Sequence, residues 1–313
     1  MYEIIIVIII VVVWYLSRKT KNIINKEKLS QNLDVNLLKL KSLNACEECE
    51  LIGVNFEEYK LTNANLKNAN LTNSVFSNTN LLNANLSKAT LVGTKFVNTN
   101  LSGVNFNGAK LINANFKNVV FMEDNFLSHG TNFDYANLSS VNLESLQLSG
   151  LSFSNANLSN ANLSNANLNF SYLSSTELKG ADLSGADLSS ANLMHSNLSN
   201  AKLIKSNISS SQLQYVNLTN ADISGADLNH SNLLEANLSG ANLTNVNLNY
   251  TNLTKAALVG VNFTGADLTQ ANFTGANLTD ANLSGANLKN AKLDKAILCN
   301  TNTPWGVDNS GCK

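Results

Sequence analysis

Ser154–Leu168 reads SNANLSNANLSNANL, in which Ala156-Asn157-Leu158, Ala161-Asn162-Leu163 and Ala166-Asn167-Leu168 are successive copies of one five-residue phrase. With the large residue taken as the centre, centres fall at Leu51, Phe56, Leu61 and every fifth residue to Phe126, and again from Phe133 to Leu298, fifty in all. A helix repeats about every 3.6 residues and a strand about every two, so a strict period of five would scatter apolar groups around either one. The pattern is satisfied when each unit forms one side of a coil and always presents the same two slots inward. Those slots are the centre and the residue two before it, which is Ala, Ser, Thr or Val in most units. The Asn or Asp before the centre, and the two residues after it, face water. A small slot beside a large one lets successive coils stack closely without voids.

Over roughly residues 46–300 the chain resembles the pentapeptide repeat family, whose motif is A-(N/D)-L-x-x. The resemblance implies an all-β fold, a right-handed quadrilateral β-helix with four repeats per coil. Fifty repeats would then make a rod of about 60 Å at the ~4.8 Å spacing of adjacent strands. Stacked Asn side chains before the centres could form amide ladders along its faces. A chain of coils grows without needing a second domain. The expected order is a membrane anchor at 1–17, a linker at 18–32, a capping helix at 33–45, the rod at 46–298 and a C-terminal cap at 299–313.

Ile4–Leu16 is an unbroken apolar run, flanked by Tyr2 on one side and Trp14-Tyr15 at its other end. As a helix the run spans about 20 Å, short for a ~30 Å hydrocarbon core, and extending it from Met1 to Ser17 helps. A cleaved signal peptide is the rival reading, and a buried core segment a third. No Lys or Arg precedes the run and no small-x-small cleavage site follows it, which favours an uncleaved single-pass anchor. Arg18, Lys19 and Lys21 follow, and the positive-inside rule then places the rod on the cytoplasmic side, of a thylakoid or plasma membrane if the source is cyanobacterial or plastid-like. Leu33, Leu37 and Leu40 recur at helical spacing, so a short helix here would cover the open edge of the first coil.

Cys46 takes a centre slot and Cys49 a small slot, which favours core packing, with a disulfide or redox role as the alternative; one such pair without a second pair or histidines is a weak zinc signal. Tyr59 is too large for its small slot, and Glu123-Asp124 puts charge near an inward position. Phe126 to Phe133 is seven residues rather than five, so His129-Gly130 supplies two extra residues, a bulge or a contact loop. Leu146 and Leu151 overfill small slots, and residues 123–153 should be the loosest part of the rod. After Leu298 the repeat fails, in an ending that resembles the C-terminal cap of cyanobacterial members of the family. Trp305 is suited to plug the last coil there. Cys299 and Cys312 form a possible disulfide, closing a loop of about 14 residues. Such a bond wants an oxidising compartment, against the charges behind the anchor.

Lys and Arg number 21 against 22 Asp and Glu, a net charge of -1, and residues 51–298 carry 13 basic and 15 acidic side chains. No basic stripe points to nucleic acid, and no acidic field points to a nucleic-acid mimic. Three histidines and four cysteines are the strongest candidates for chemistry at neutral pH, and no catalytic motif accompanies them. No enzyme activity, metal or cofactor is expected. Asp182, Asp187, Asp222, Asp227 and Asp267 stand where Asn usually does and read as solvated substitutes.

Residues twenty apart should lie above one another. One column then carries Phe170, Ser190, Ser210, His230 and Tyr250; the neighbouring side carries Met194, Gln214 and Leu234 beside His195 and Tyr215, with Tyr172 entering below. Phe170, Tyr172, Met194, His195, Tyr215, His230, Leu234 and Tyr250 are therefore the candidate surface for a protein partner. Scattered exposed apolar side chains are the plainer reading, and Ile52, Thr72, Val92 and Ile112 form a second, weaker column. The expected function is a membrane-anchored, non-catalytic scaffold. The alternatives are a DNA mimic acting on a topoisomerase, a role the resemblance allows, and a purely structural spacer.

Overall fold

A computed structural model describes residues 18–19, 31–121 and 131–312. The apolar run Ile4–Leu16, together with Tyr2 and the Glu123-Asp124 pair, lies outside those residues. Among the described residues no helix is long and apolar enough to cross a membrane.

The described residues between Ala45 and Asn302 wind as a four-sided β-helix whose rungs pair in parallel, mostly at steps of twenty, as Asn157 pairs Glu177 and Glu177 pairs Asn197. Each rung is held by backbone bonds on both sides. Asn157 N–H donates to Ala136 O at 2.9 Å and Leu158 N–H to Glu177 O at 2.7 Å. Each corner closes on itself, as where Ala161 N–H donates to Leu158 O at 3.0 Å. The residue two after each centre takes a positive φ, near 57° at Asn160 and 67° at Gly225. Asn, Gly and Ser dominate this slot because short polar side chains and glycine enter the left-handed region at least cost.

The centres and small slots are buried: Leu158, Leu163 and Leu168 are fully enclosed, with Ala156, Ala161 and Ala166 beside them. The phenylalanine centres stack along the axis. Phe56, Phe76, Phe96 and Phe116 form one column, with centroid separations of 4.7, 5.2 and 5.1 Å. On the side where Phe76, Phe96 and Phe116 lie, three parallel strands are long enough to name: β1 (Val75–Ser77), β2 (Lys95–Val97) and β3 (Asn115–Lys117).

The ladder corrects the reading of the irregular segment. Asn100 pairs Val120 in the ordinary step, but Asn105 pairs Asn132, Lys110 pairs Asn137 and Asn115 pairs Asn142. Each of the last three steps is seven residues longer than twenty, so seven residues, not two, are inserted. Asn132 occupies the rung that unbroken counting gives to Asn125, and Phe133 stacks on Phe106 at 5.0 Å in the place counted for Phe126. From Asn132 onward the ladder is regular, and Leu151 is fully buried in the slot it was expected to overfill.

Among the described residues helix α1 covers 31–43, so it already includes residues 31–32 of the expected linker and ends two residues earlier than expected. Leu40 is buried, and Leu33 and Leu37 pack against the first coil; Leu38 and Leu43 point outward. Cys46 and Cys49 do face the core, but as a disulfide rather than as two thiols. Tyr59 stays only partly buried in its small slot, where it meets Phe56 edge-on at 5.5 Å and takes Lys41 Nζ over its ring. At the other end, β4 (Thr301–Thr303) and β5 (Gly306–Asp308) form an antiparallel hairpin, and Cys299 is joined to Cys312. Trp305 does not plug the rod. It stands at the hairpin tip, 63% exposed, while Thr301 and Thr303 supply the buried contacts. Leu288 and Leu293 of the last coil remain only partly covered.

Candidate functional site

Two adjoining corners of the rod, and the side between them, carry the aromatic residues. The first corner stacks Phe170, Ser190, Ser210, His230 and Tyr250; the second stacks His195, Tyr215, Glu235 and Lys255, all at positive φ. The rungs between them are Tyr172, Asn192, Gln212, Asn232 and Asn252. A ladder step of ~4.8 Å suits plane-to-plane contact. His195 stacks on Tyr215 with centroids 4.8 Å apart, and His230 on Tyr250 at 4.9 Å. Lys255 Nζ meets Glu235 at 3.2 Å one and two coils beyond Tyr215, ending the apolar part of that corner in an ion pair.

Phe170, Tyr172, Tyr215 and Tyr250 are between 43% and 58% exposed. His195 and His230 are exposed too, while Met194 and Leu234 are half-buried at the turns. Their backbone N–H groups donate to Asn192 Oδ1 at 3.1 Å and Asn232 Oδ1 at 3.2 Å. These bonds fix where the corners turn. The eight residues singled out from the sequence thus fall on one surface, with the two stacked pairs on different corners. What the sequence did not disclose is that four unpaired, buried polar atoms lie at this face, namely Asn169 Oδ1, Ser171 Oγ, Gln214 Oε1 and Asn249 Oδ1. Three of them directly precede an aromatic corner residue, and Ser171 lies between Phe170 and Tyr172.

Amides bridge the rungs along the rod, on this side between Asn252 Nδ2 and Asn232 Oδ1 at 2.9 Å. Asn217 Nδ2 donates to Asn197 Oδ1 at 3.1 Å, Asn207 Nδ2 to Asp187 Oδ1 at 3.1 Å and Asn247 Nδ2 to Asp227 Oδ1 at 2.9 Å. The aspartates therefore act as acceptors in the amide ladder. The Thr269 hydroxyl, with its backbone N–H and the amides of Asn249 and Asn287, holds the Asp267 carboxyl below its usual range against some burial. Burial opposes ionisation of Asp182, but bonds from Ser184 and the charge of Lys202 outweigh it and lower its pKa as well. Among the described residues no group of His, Cys, Asp and Glu is arranged to hold a metal ion.

Family models match most of the rod: pentapeptide repeats over residues 129–160, 152–189, 191–229, 221–258, 256–294 and 281–302, and a pentapeptide repeat region over 49–126. Solved structures similar to the chain include HetL, a pentapeptide repeat protein involved in heterocyst differentiation regulation in the cyanobacterium Nostoc sp. strain PCC 7120. HetL is 28% identical over 86% of this chain and 96% of its own, with a TM-score of 0.42. QnrB1, a plasmid-mediated fluoroquinolone resistance protein, is 18% identical over 77% and 90%, with a TM-score of 0.28. Rfr23 from the cyanobacterium Cyanothece 51142 is 24% identical over 52% and 93%, with a TM-score of 0.16. No curated protein matches the chain. With family repeats matched along the greater part of its length, the chain belongs to the pentapeptide repeat family.

Proposed function

We propose that this protein is a non-catalytic scaffold that binds a protein partner through the face of Phe170, Tyr172, Met194, His195, Tyr215, His230, Leu234 and Tyr250, with residues 1–17 holding the rod to a membrane. The observation that carries the binding face is the gathering of four exposed aromatic rings and two stacked pairs on one side. Asn, Ser and Thr coat the remainder of the regular rod. Aromatic side chains bury large areas at little entropic cost and are the usual anchors of an interface. The anchor rests on the run Ile4–Leu16. A near-neutral rod gives no support to the DNA-mimic alternative.

The test is purification of the full chain and its associated proteins from solubilised membranes, followed by the Tyr215→Ala/Tyr250→Ala double variant. The wild type is expected in the membrane fraction with a specific partner, and the double variant is expected to stay there without it. Each tyrosine should contribute ~1–2 kcal/mol to binding. Retention of the partner by the double variant, with its loss on mutating Ile52 and Ile112, would move the interface to another column.

A further inference from the structure

We propose that a notch in this face, bounded by Phe170 and Tyr172 below and by His230 above, seats an uncharged, proline-bearing stretch of the partner, extended along the rod axis. This rests on the reading of the face given above and names the chemistry of what it binds.

The notch comes from the order of residues in one column. Between Phe170 and His230 the same corner carries only Ser190 and Ser210, so the aromatic wall drops for two rungs. Phe170, Ser171, Tyr172, Ser190, Asn192 and Gln212 enclose a groove of about 360 Å³ there. None of the six is charged. Two exposed rings form its lower rim, and the side-chain amides of Asn192 and Gln212 form its floor.

Those polar groups are uncommitted for an identifiable reason. Elsewhere an Asn Nδ2 often finds an acceptor one rung below, as Asn197 does at Glu177, Asn242 at Asp222 and, higher on this same side, Asn252 at Asn232. Below Asn192 stands Tyr172, whose ring carbons offer no acceptor at that level. The Asn192 oxygen is used by Met194 N–H, which leaves its NH₂ facing the groove, and the next rung up is the exposed Gln212. The Ser171 hydroxyl, also without a partner, is fully buried in an inward slot and lies out of a ligand's reach. Serines in the same inward slot elsewhere, such as Ser196, Ser206 and Ser231, donate to the carbonyl three residues back at 2.6 to 2.8 Å. The site therefore offers aromatic faces, free amide donors and no charge.

A polyproline II segment asks for that combination. Its carbonyls have no internal partners and accept from amide donors, while its proline rings lie against aromatic faces. One turn advances about 9.3 Å, three residues at ~3.1 Å each. Two rungs of the rod advance about 9.6 Å. A proline resting on the Tyr172 ring thus places the next turn level with Gln212. A charged segment would lose its hydration on this floor and gain no counter-charge. A pyranose ring is the competing occupant, and the experiment separates the two.

The full chain is titrated calorimetrically, up to millimolar ligand, with three probes: a capped, uncharged proline-rich nonapeptide, the same peptide with every proline replaced by glycine, and a neutral linear hexasaccharide. The proline peptide should bind at least about tenfold more tightly than its glycine counterpart. Tyr172→Ala and Gln212→Ala should each weaken it by about tenfold, the loss typical of a central contact, while Ile52→Ala on the remote column leaves it unchanged. Circular dichroism confirms that each variant is folded. Equal binding of the two peptides, no binding of either, indifference to both notch variants, or preference for the saccharide overturns the proposal. If the Tyr215→Ala/Tyr250→Ala variant sheds its partner while the proline peptide fails to bind the wild type, the notch is wrong and the face reading stands. If the peptide binds as expected while the double variant keeps its partner, the face reading falls and the notch stands alone.

Discussion

A residue of this rod is governed by which of five slots it occupies, and the slot two after the centre is the most demanding. It holds a positive φ all along the rod, yet Phe170, His195, Tyr215, His230 and Tyr250 occupy it. Bulky side chains there oppose an intrinsic penalty of about 1–2 kcal/mol. The stacked pairs return part of that, at about 0.5–1.5 kcal/mol each. Strain of this kind is tolerated where the surrounding structure over-determines it, and it gathers at functional positions. A paired substitution isolates it. Tyr215→Gly and Tyr215→Ala both remove the ring and its stack on His195, but only alanine keeps the left-handed penalty. Tyr215→Gly should therefore be the more stable by about 1 kcal/mol in denaturant unfolding, with both variants equally impaired in partner binding. Equal stabilities would mean that the corner carries no strain. The sequence disclosed which side chains face in and which face out, because period and polarity set that. The φ requirement was legible only in the Asn, Gly and Ser that dominate the slot. The orphaned amide oxygens depend on which side chain stands twenty residues away, which no local phrase encodes.

At the scale of the element, the ends and the irregular segment were the least legible. Phe126 keeps the five-residue count, but its small slot would be filled by Asp124. An inward carboxylate without a partner is costly to bury. The ladder instead resumes at Phe133, whose small slot is Thr131, buried and donating to Leu101 O at 2.7 Å. Counting centres alone could not find this; asking whether both inward slots were fillable could have. The cap departs from expectation because Pro304 and Trp305 occupy the turn of a hairpin, where a large ring projects away from the rod. Its hold is the Cys299–Cys312 bond together with Gly311 N–H donating to Leu298 O at 2.8 Å. By chain entropy a loop of about 14 residues contributes roughly 3 kcal/mol, and the four-residue Cys46–Cys49 loop roughly 2. Coils contact only their neighbours, so these gains should stay local. Cys312→Ser should release the cap to exchange of its amides while leaving protection of the Leu158–Leu243 coils unchanged, by hydrogen exchange. Uniform loss of protection along the rod would show that the cap clamps the whole ladder.

Along the whole molecule, one five-residue phrase supplies both the stability and the placement of function. Each coil repeats the same burial, so the rod should tolerate loss of a repeat better than a globular domain tolerates loss of five core residues. What such a deletion changes is phase. Removing residues 221–225 (ADISG) brings Ala226 into the place of Ala221, with small residue, acid and apolar centre all conserved in kind. Everything beyond then moves one side around the axis. His230, Leu234 and Tyr250 leave the side that holds Phe170, Tyr172, His195 and Tyr215, though no aromatic residue has been altered. Removing residues 256–260 (AALVG) deletes a comparable unit beyond Tyr250 and leaves the aromatic face in register. Both variants should give the same circular dichroism as the wild type and unfold within a few degrees of one another. Partner binding should survive the 256–260 deletion and fall at least tenfold in the 221–225 deletion, about 1.4 kcal/mol or more. Equal binding by the two would mean that the partner reads only one coil or two, and that the convergence of the corners plays no part. A 221–225 deletion that fails to fold while the 256–260 deletion folds would show that the register between the two corners is itself structural, since His195 and Tyr215, and His230 and Tyr250, keep their twenty-residue spacing in both variants.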